Sequence, residues 1–419
     1  MKRVLVILMF LFLLLAGFIL YDTYLNRGIP KLDVEDEKIA IDQLYVYGGH
    51  MGLSGNLINN NDLDLVLYNG DFISYDINIV DDKFNLSDMI NNGIYLDNLE
   101  VSDYYIFLRS TFLDDNGENT YKYYPLVNDT EYEETSYYTF KSIGNKVVIK
   151  MDDGEYDTLM VNVTKNKDKN IYDVVVDPGH GGIDSGTNKN GYYEAELTMK
   201  IAKSLKKKLE DNGFTVKLTR EENQLSKDEK LNDYGKNGRA IIPYEVGAKY
   251  VFSIHLNSSE AYYVNGLEIY TANNINYKFA KNLANNLNRE TGINYSTSRI
   301  NKISDGVYTR MFTKKDIEDS TERLIKDEKK PYDITTNSNY YFMIRETGGF
   351  MTGAYVDNRN DDVIYNPYYN SNVGIESYLL ELGYLSNKDD LNNILNNTDK
   401  FTDSIAKTFT SFIEDKNNM

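Results

Sequence analysis

The 419-residue chain has no cysteine and only three histidines. Without cysteine there can be no disulfide, thiolate metal site, cysteine nucleophile or lipidated N-terminal cysteine, which leaves histidine and carboxylate as the strong transition-metal ligands. Basic residues are also scarce: 45 Lys and Arg face 64 Asp and Glu, a formal net charge of −19. A surface of that sign repels phosphate backbones wherever salt does not screen it, so nucleic acid is excluded as a partner. What is present is apolar material, 41% of the residues, and a length that favours two domains plus extensions.

One apolar run is long. Val4 to Leu20 follows Lys2 and Arg3 without a charge. As a helix it extends about 25 Å against a hydrocarbon core of about 30 Å, and Tyr21 and Tyr24 suit an interface. The leading positive charges put that end in the cytoplasm and the remainder outside. A cleaved secretory signal is the competing reading, but its apolar region is usually about 7–15 residues and ends at a small-residue site, whereas Phe18-Ile19-Leu20 continue this run past Ala16-Gly17. Residues 1–27 are therefore expected to be a single-pass anchor in the cell membrane with the rest of the chain outside, or a leader whose removal releases a secreted protein.

Residues 28–170 are rich in Tyr, Asp, Asn and β-branched residues, with short alternating runs such as DLVLYNG, YYIFLRS and KVVIKM. The pattern predicts a small β-sandwich of antiparallel strands, with Asn116-Gly117 and Asp153-Gly154 at tight turns. His50 stands alone there and reads as a structural or surface residue. From Ile171 strand and helix signals alternate. IYDVVVD is a buried strand broken at Pro178-Gly179, and Leu197, Ile201, Leu205 and Leu209 mark a helix stopped by Gly213. FTVKLTR, KYVFSI, GLEIYTA, YYFMIR and SYLLEL read as strands. A helical stretch is expected through Arg239-Ala240-Ile241, a helix at Phe279, Leu283 and Leu287, and a closing helix at Phe401, Ile405, Phe409 and Phe412. The fold class is thus α/β over residues 171–419: a mostly parallel sheet with helices on both faces, preceded by the β-sandwich-like part and the transmembrane helix.

Four segments carry the chemistry: VVVDPGHGG around His180, YYEAE around Glu194, FSIHLNSS around His255 and LLELGYLSN around Glu381. His180 follows one strand, His255 ends another and Glu381 a third, and open α/β sheets bind ligands beyond the carboxyl ends of their strands. Glu194 opens the helix leaving the His180 loop, where the helix dipole favours an anion. Two imidazoles and a carboxylate surround many catalytic zinc ions, leaving a fourth position for water. The zinc reading makes His180, Glu194 and His255 ligands, and Glu381 the acid/base that moves a proton from water to a leaving nitrogen. Taken singly, each histidine also fits a hydrogen-bonded loop residue, and Glu194 a solvated first-turn acid. The glycines around His180 do not fit a phosphate loop, since no G-x-x-x-x-G-K follows. Glu381 lies among apolar residues on a core strand, a costly place for a carboxylate that is neither paired nor doing chemistry.

Read in order, these segments resemble the catalytic domain of zinc-dependent N-acetylmuramoyl-L-alanine amidases that open with D-P-G-H-G-G. The resemblance runs from about Ile171 to Ile413: DPGHGG with His180, the helix-opening Glu194, SIHLN with His255 and Asn257, NG-x-E with Asn265, Gly266 and Glu268, and ELGYLSN with Glu381. It implies that His180, Glu194 and His255 bind Zn2+, that Glu381 is the catalytic acid/base, and that Asn257 and Glu268 contact substrate. It also implies that the substrate is peptidoglycan, cut between the lactyl group of N-acetylmuramic acid and L-alanine of the stem peptide.

Three departures qualify it. Ala195 stands where a Lys often follows the ligand Glu, and Glu196 is a second candidate ligand, less favoured by register than Glu194. Pro243 falls where the family has an unbroken helix and is expected to kink or start one. The span from Ser298 to Asn370 is longer than a plain connection and is expected to wall or gate the cleft, because it leads into the strand bearing Glu381. Another zinc amide or acyl hydrolase of the envelope, or a non-catalytic wall-binding protein, remains an alternative at this level.

Overall fold

The computed structural model describes residues 31–57, 63–221, 233, 237–297, 301–328, 331, 333–354 and 366–417. The expected anchor at residues 1–27 lies outside them. Among the described residues no helix is long and apolar enough to cross a membrane.

The first half is built of β1 (Ile39–Tyr47), β2 (His50–Asn56), β3 (Leu63–Tyr68), β4 (Asp103–Leu113), β5 (Asn119–Asn128), β6 (Glu134–Tyr138), β7 (Asn145–Met151) and β8 (Leu159–Lys165), with shorter strands between. Their order is β6-β7-β8-β4-β5-β1-β2, with β3 on β4. Neighbours run antiparallel except β1 and β5, which are parallel. Residues alternate inward as a half-buried sheet requires: Ile39 and Ile41, Ile106 and Leu108, Val147 and Ile149, and Leu159, Val161 and Val163 share one apolar core. Asn116-Gly117 turns β4 into β5, where Gly117 takes φ +80° and the Asp114 carboxylate accepts from Asn116 N at 2.8 Å and Glu118 N at 2.9 Å. Asp153-Gly154 sits instead in a wider loop ordered by Asp152, which accepts from Gly154 N at 3.1 Å and Tyr156 N at 3.0 Å.

The second half holds a seven-stranded sheet of β9 (Val174–Pro178), β10 (Val216–Leu218), β11 (Tyr250–Asn257), β12 (Glu268–Thr271), β13 (Lys302–Ser304), β14 (Val307–Thr309) and β15 (Glu376–Tyr384), ordered β10-β9-β11-β15-β12-β14-β13. Four neighbouring pairs are parallel, while β12 runs against β15 and β13 against β14, so the sheet is mixed. One face packs on α1 (Glu194–Asp211), α3 (Lys278–Thr291) and α6 (Lys388–Asn417), with Val174, Val176, Phe252, Leu205, Phe279 and Phe409 in a common core. The other face is covered by two short helices, α2 (Ile242–Glu245) and α5 (Phe342–Thr347), through Val175, Val251, Ile242 and Met343. The span after Ser298 supplies β13, β14, α4 (Lys314–Lys326) and α5.

Two expected elements are corrected. YYFMIR is not a strand: Phe342–Thr347 is helix, stabilised where Arg345 N donates to Tyr341 O at 2.9 Å and Thr347 Oγ1 to Met343 O at 2.7 Å. A short apolar run has no period of its own, and here packing on the sheet decides it. Arg239-Ala240-Ile241 are not helical but precede α2, which begins with Pro243 in its first turn, where a missing N–H goes unneeded.

The two halves share a seam. A two-residue strand, Val373–Gly374, pairs with β1 immediately before β15. Tyr45, Tyr47 and Phe140 of the first half enter the core of the second. Charges are buried there as well: Lys249 Nζ lies 3.7 Å from Asp173 and 4.7 Å above the Phe140 ring. Lys416 Nζ donates to Tyr250 at 3.0 Å, and Glu376 accepts from Asn91 at 2.8 Å. His50 is part of this seam, 7% exposed, with Nδ1 3.1 Å from Gly93 O.

Candidate metal centre

The His180 loop is shaped by its glycines. His180 itself has φ +60°, and Gly181 and Gly182 follow at +128° and +59°, a run that only glycine-rich sequence tolerates. Arg220 braces it, donating from Nε to Pro178 O at 3.1 Å and from a terminal nitrogen to Gly179 O at 3.1 Å and Ala195 O at 2.9 Å. Beneath the loop Asp177 is fully buried, with Arg239 on both oxygens at 2.9 and 2.7 Å, Thr219 at 2.6 Å and Ser253 at 2.7 Å. Burial would raise its pKa, but the Arg239 guanidinium and these donors hold it well below the usual carboxylate range.

His180, Glu194 and His255 come together. Candidate ligand atoms of the three lie within 4.8 Å of one another. Glu194 Oε1 is 3.1 Å from His180 Nε2 and 3.2 Å from His255 Nδ1, and it also accepts from Leu256 N at 3.0 Å. Glu194 Oε2 accepts from Thr187 N at 3.0 Å. Asp184 Oδ2, 2.8 Å from His180 Nδ1, fixes the tautomer that leaves Nε2 for a metal. Burial opposes ionisation of Glu194, yet the two imidazoles keep its carboxyl far below its ordinary value; burial likewise opposes the charge on His180, and Glu194 and Asp184 raise its pKa. Glu196 is exposed and stands apart from the group.

The group fits a metal ion. The donor set is the nitrogen and oxygen chemistry of a divalent transition metal. Space around it is kept by glycine: a Cβ on Gly186 would meet Glu194 Oε2 at 2.7 Å, and one on Gly179 would meet His255 Nε2 at 2.6 Å. His255 therefore backs its Nε2 onto the loop and presents Nδ1 to the group.

Glu381 lies on β15 directly opposite His255 of β11 and Glu268 of β12. Its Oε2 is shut off from solvent and has no hydrogen-bond partner among the described residues. Burial, and then the charges of Glu194 and Glu268, push its pKa well above the carboxylate range. Asn257 and Glu268, expected to contact substrate, face each other: Asn257 Nδ2 donates to Glu268 Oε2 at 3.0 Å. Glu268, 2% exposed, also accepts from Tyr270 at 2.7 Å, Ser296 at 2.5 Å and Tyr384 at 2.8 Å. A bulge at Gly383, φ +142°, shifts Tyr384 into that position. Tyr341, from the Ser298–Asn370 span, packs its ring 4.3 Å from Tyr270 and lies within the field of Glu381.

Sequence reasoning passed over Asp184, Asp177, Arg220, Arg239 and Tyr341. Asp184 was available as an acid four residues beyond His180, and Asp177 as part of the DPGHGG run. No local pattern announced the other three, which reach the site from separate segments.

Comparison with known proteins places these features in a family. The sequence profile of N-acetylmuramoyl-L-alanine amidases (Amidase_3) matches residues 174–415. A stretch of 123 residues is 32% identical to the probable cell wall amidase LytH of Staphylococcus aureus, covering 28% of this chain and 38% of LytH, so the chain spans well under two thirds of the curated relatives it matches. Among solved structures it is similar to the N-acetylmuramoyl-L-alanine amidase AmiC2 of Nostoc punctiforme, at 21% identity and TM-score 0.37 over 57% of this chain and 96% of that one. It is similar also to the catalytic domain of CwlV from Bacillus (Paenibacillus) polymyxa, at 21% identity and TM-score 0.36 over 58% and 99%. The profile alone spans more than half of the residues, and the chain belongs to the N-acetylmuramoyl-L-alanine amidase family.

Proposed function

We propose that this protein hydrolyses peptidoglycan at the amide between N-acetylmuramic acid and L-alanine, with zinc held by His180, Glu194 and His255. The observation that carries the reading is the approach of Glu194 Oε1 to both imidazoles, at 3.1 and 3.2 Å, beside an unpartnered Glu381 oxygen on the adjoining strand. When bound, the ion supplies a water of pKa about 7 and polarises the scissile carbonyl. Glu381 collects a proton from the attacking water through Oε2 and delivers it to the departing alanine nitrogen. Glu268 lies opposite Glu381 on the neighbouring strand, its carboxyl group held in place by four hydrogen-bond donors. Asn257 and Tyr384 donate to Glu268, and Asn257 and Glu268 contact substrate in this reading. Asp184 orients His180, and Arg220 fixes the loop from which it projects. Tyr341 and its neighbours in the Ser298–Asn370 span wall the cleft beside Glu381.

The chain is organised, in this reading, as an anchor at residues 1–27, a β-rich part at 28–170 and an amidase part at 171–419, with the last two outside the membrane. Incubation with purified muropeptides tests the activity: mass spectrometry should find free L-alanine amino termini with metal-replete protein and none after chelation. Cleavage at a different amide or ester would replace this reading with that of another envelope hydrolase.

A further inference from the structure

Five large side chains with apolar faces stand in solvent on segments that adjoin the proposed metal ligands. Ile183, 54% exposed, precedes Asp184; Tyr192 and Tyr193, 37% and 40% exposed, precede Glu194; Tyr262 and Tyr263, 78% and 73% exposed, lie on the loop leaving the His255 strand. The segments carrying them are tied together. Asn190 Nδ2 donates to Leu385 O at 2.9 Å, Ser259 N to Ser386 Oγ at 3.0 Å, and Asn387 Nδ2 to Tyr262 O at 2.9 Å. Lys189 Nζ lies 3.9 Å from Glu260. Leu385–Asn387 directly follows β15, so the rim is fixed to the strands that carry His255 and Glu381. The Tyr262 and Tyr263 rings meet edge to face, with centroids 6.3 Å apart. Apolar side chains gathered in solvent beside a catalytic group mark a binding surface rather than chance exposure.

The chemistry of the rim selects its occupant. A phenol ring offers an electron-rich face and a hydroxyl at its edge, a surface that accepts C–H groups and hydrogen-bonding groups together. The substrate proposed above, on which this inference rests, has a peptide half bearing ionised groups and a glycan half of uncharged pyranose rings with C–H faces and polar rims. Lys189 and Glu260 face one another on the rim, so neither stands there as an isolated charge for the peptide half. We propose that Tyr262 and Tyr263, flanked by Tyr192 and Tyr193, form the platform on which sugar rings of the glycan strand lie, and that the enzyme thereby selects substrate within a glycan chain over isolated muramyl peptide.

Two readouts test this. In a Glu381→Gln background, which prevents turnover, isothermal titration with chitotetraose, a peptide-free N-acetylglucosamine oligomer, should show binding that Tyr262→Ser/Tyr263→Ser weakens by roughly tenfold or more. Tyr262→Phe/Tyr263→Phe, which keeps the ring faces, should stay within about threefold of the parent. With Glu381 restored, the kcat/KM ratio for glycan-linked over single-sugar muramyl peptide should fall by roughly tenfold in the serine variant. Failure of the parent to bind chitotetraose, or equal affinity of parent and serine variant, would overturn the platform. Absence of amide cleavage by the wild type would instead overturn the proposed activity, and the sugar titration would still decide the platform.

Discussion

Two regions of this molecule gather ionisable groups away from solvent, and only one is built for chemistry. At the carboxyl ends of β9, β11 and β15, His180, Glu194, His255 and Glu381 converge, and glycines keep space open. At the seam between the two sheets, Lys249, Lys416, Asp97, Asp173, Glu376 and His50 are buried more deeply than the partly exposed His180, His255 and Glu381. There Lys249 lies 3.7 Å from Asp173 and Lys416 donates to Tyr250, and His50 Nε2, Lys249 Nζ and Glu376 Oε2 lack hydrogen-bond partners among the described residues without gathering into a set of metal ligands. Perturbed titration alone does not single out a reactive centre. Convergence of donor atoms toward one open position does.

Breaking the reactive side should have the largest effect. Glu381→Gln is expected to lower turnover on muropeptides by about 10²–10⁴-fold while leaving metal content and melting temperature in place. The seam should show the reverse pattern. Lys249→Met leaves Asp97 and Asp173 without their buried counter-ion and is expected to cost about 3–5 kcal/mol in urea unfolding, with turnover per folded molecule unchanged. Asp184→Ala sharpens the contrast within the site: loss of the group that orients His180 should weaken metal affinity by about 10–100-fold, measured by competition with a chelator.

The smallest effect concerns pH. Burial first, and then Lys416, hold His50 neutral, its pKa lowered from 6.5 to about 3. The unfolded chain therefore binds the extra proton between those values, so the stability due to a neutral His50 is complete above about pH 6.5 and is lost as pH falls. By pH 5 the loss is about 2 kcal/mol. Unfolding followed from pH 7 to pH 5 should be less steeply pH-dependent in His50→Phe than in wild type; identical slopes would show that the seam does not titrate through this residue.

Much of the catalytic half was legible because each functional residue sits beside a strong local signal. Pro178-Gly179 ends a buried strand before His180, the helix period begins at Glu194, and Glu381 interrupts an apolar strand. Residues whose work depends on distant partners were harder to read. Glu268 takes its four donors from β11, β12, β15 and the Ser296 turn, a set that no local pattern announces. Arg239 and Arg220 show their purpose only once the His180 loop has folded over them. YYFMIR was misread because a six-residue apolar run suits strand and helix equally until a sheet face lies beneath it. The seam left no trace at all, since buried charges drawn from segments as far apart in the chain as Asp97 and Lys416 have no common pattern.

His180, Glu194 and His255 are expected to hold one divalent ion together, independently of the acid beside them. In metal analysis of dialysed protein by inductively coupled plasma mass spectrometry, about one zinc per chain is expected in wild type and in Glu381→Gln, and almost none in His180→Ala or His255→Ala. Stoichiometric zinc retained by both histidine variants, or none bound by the wild type, would contradict that expectation.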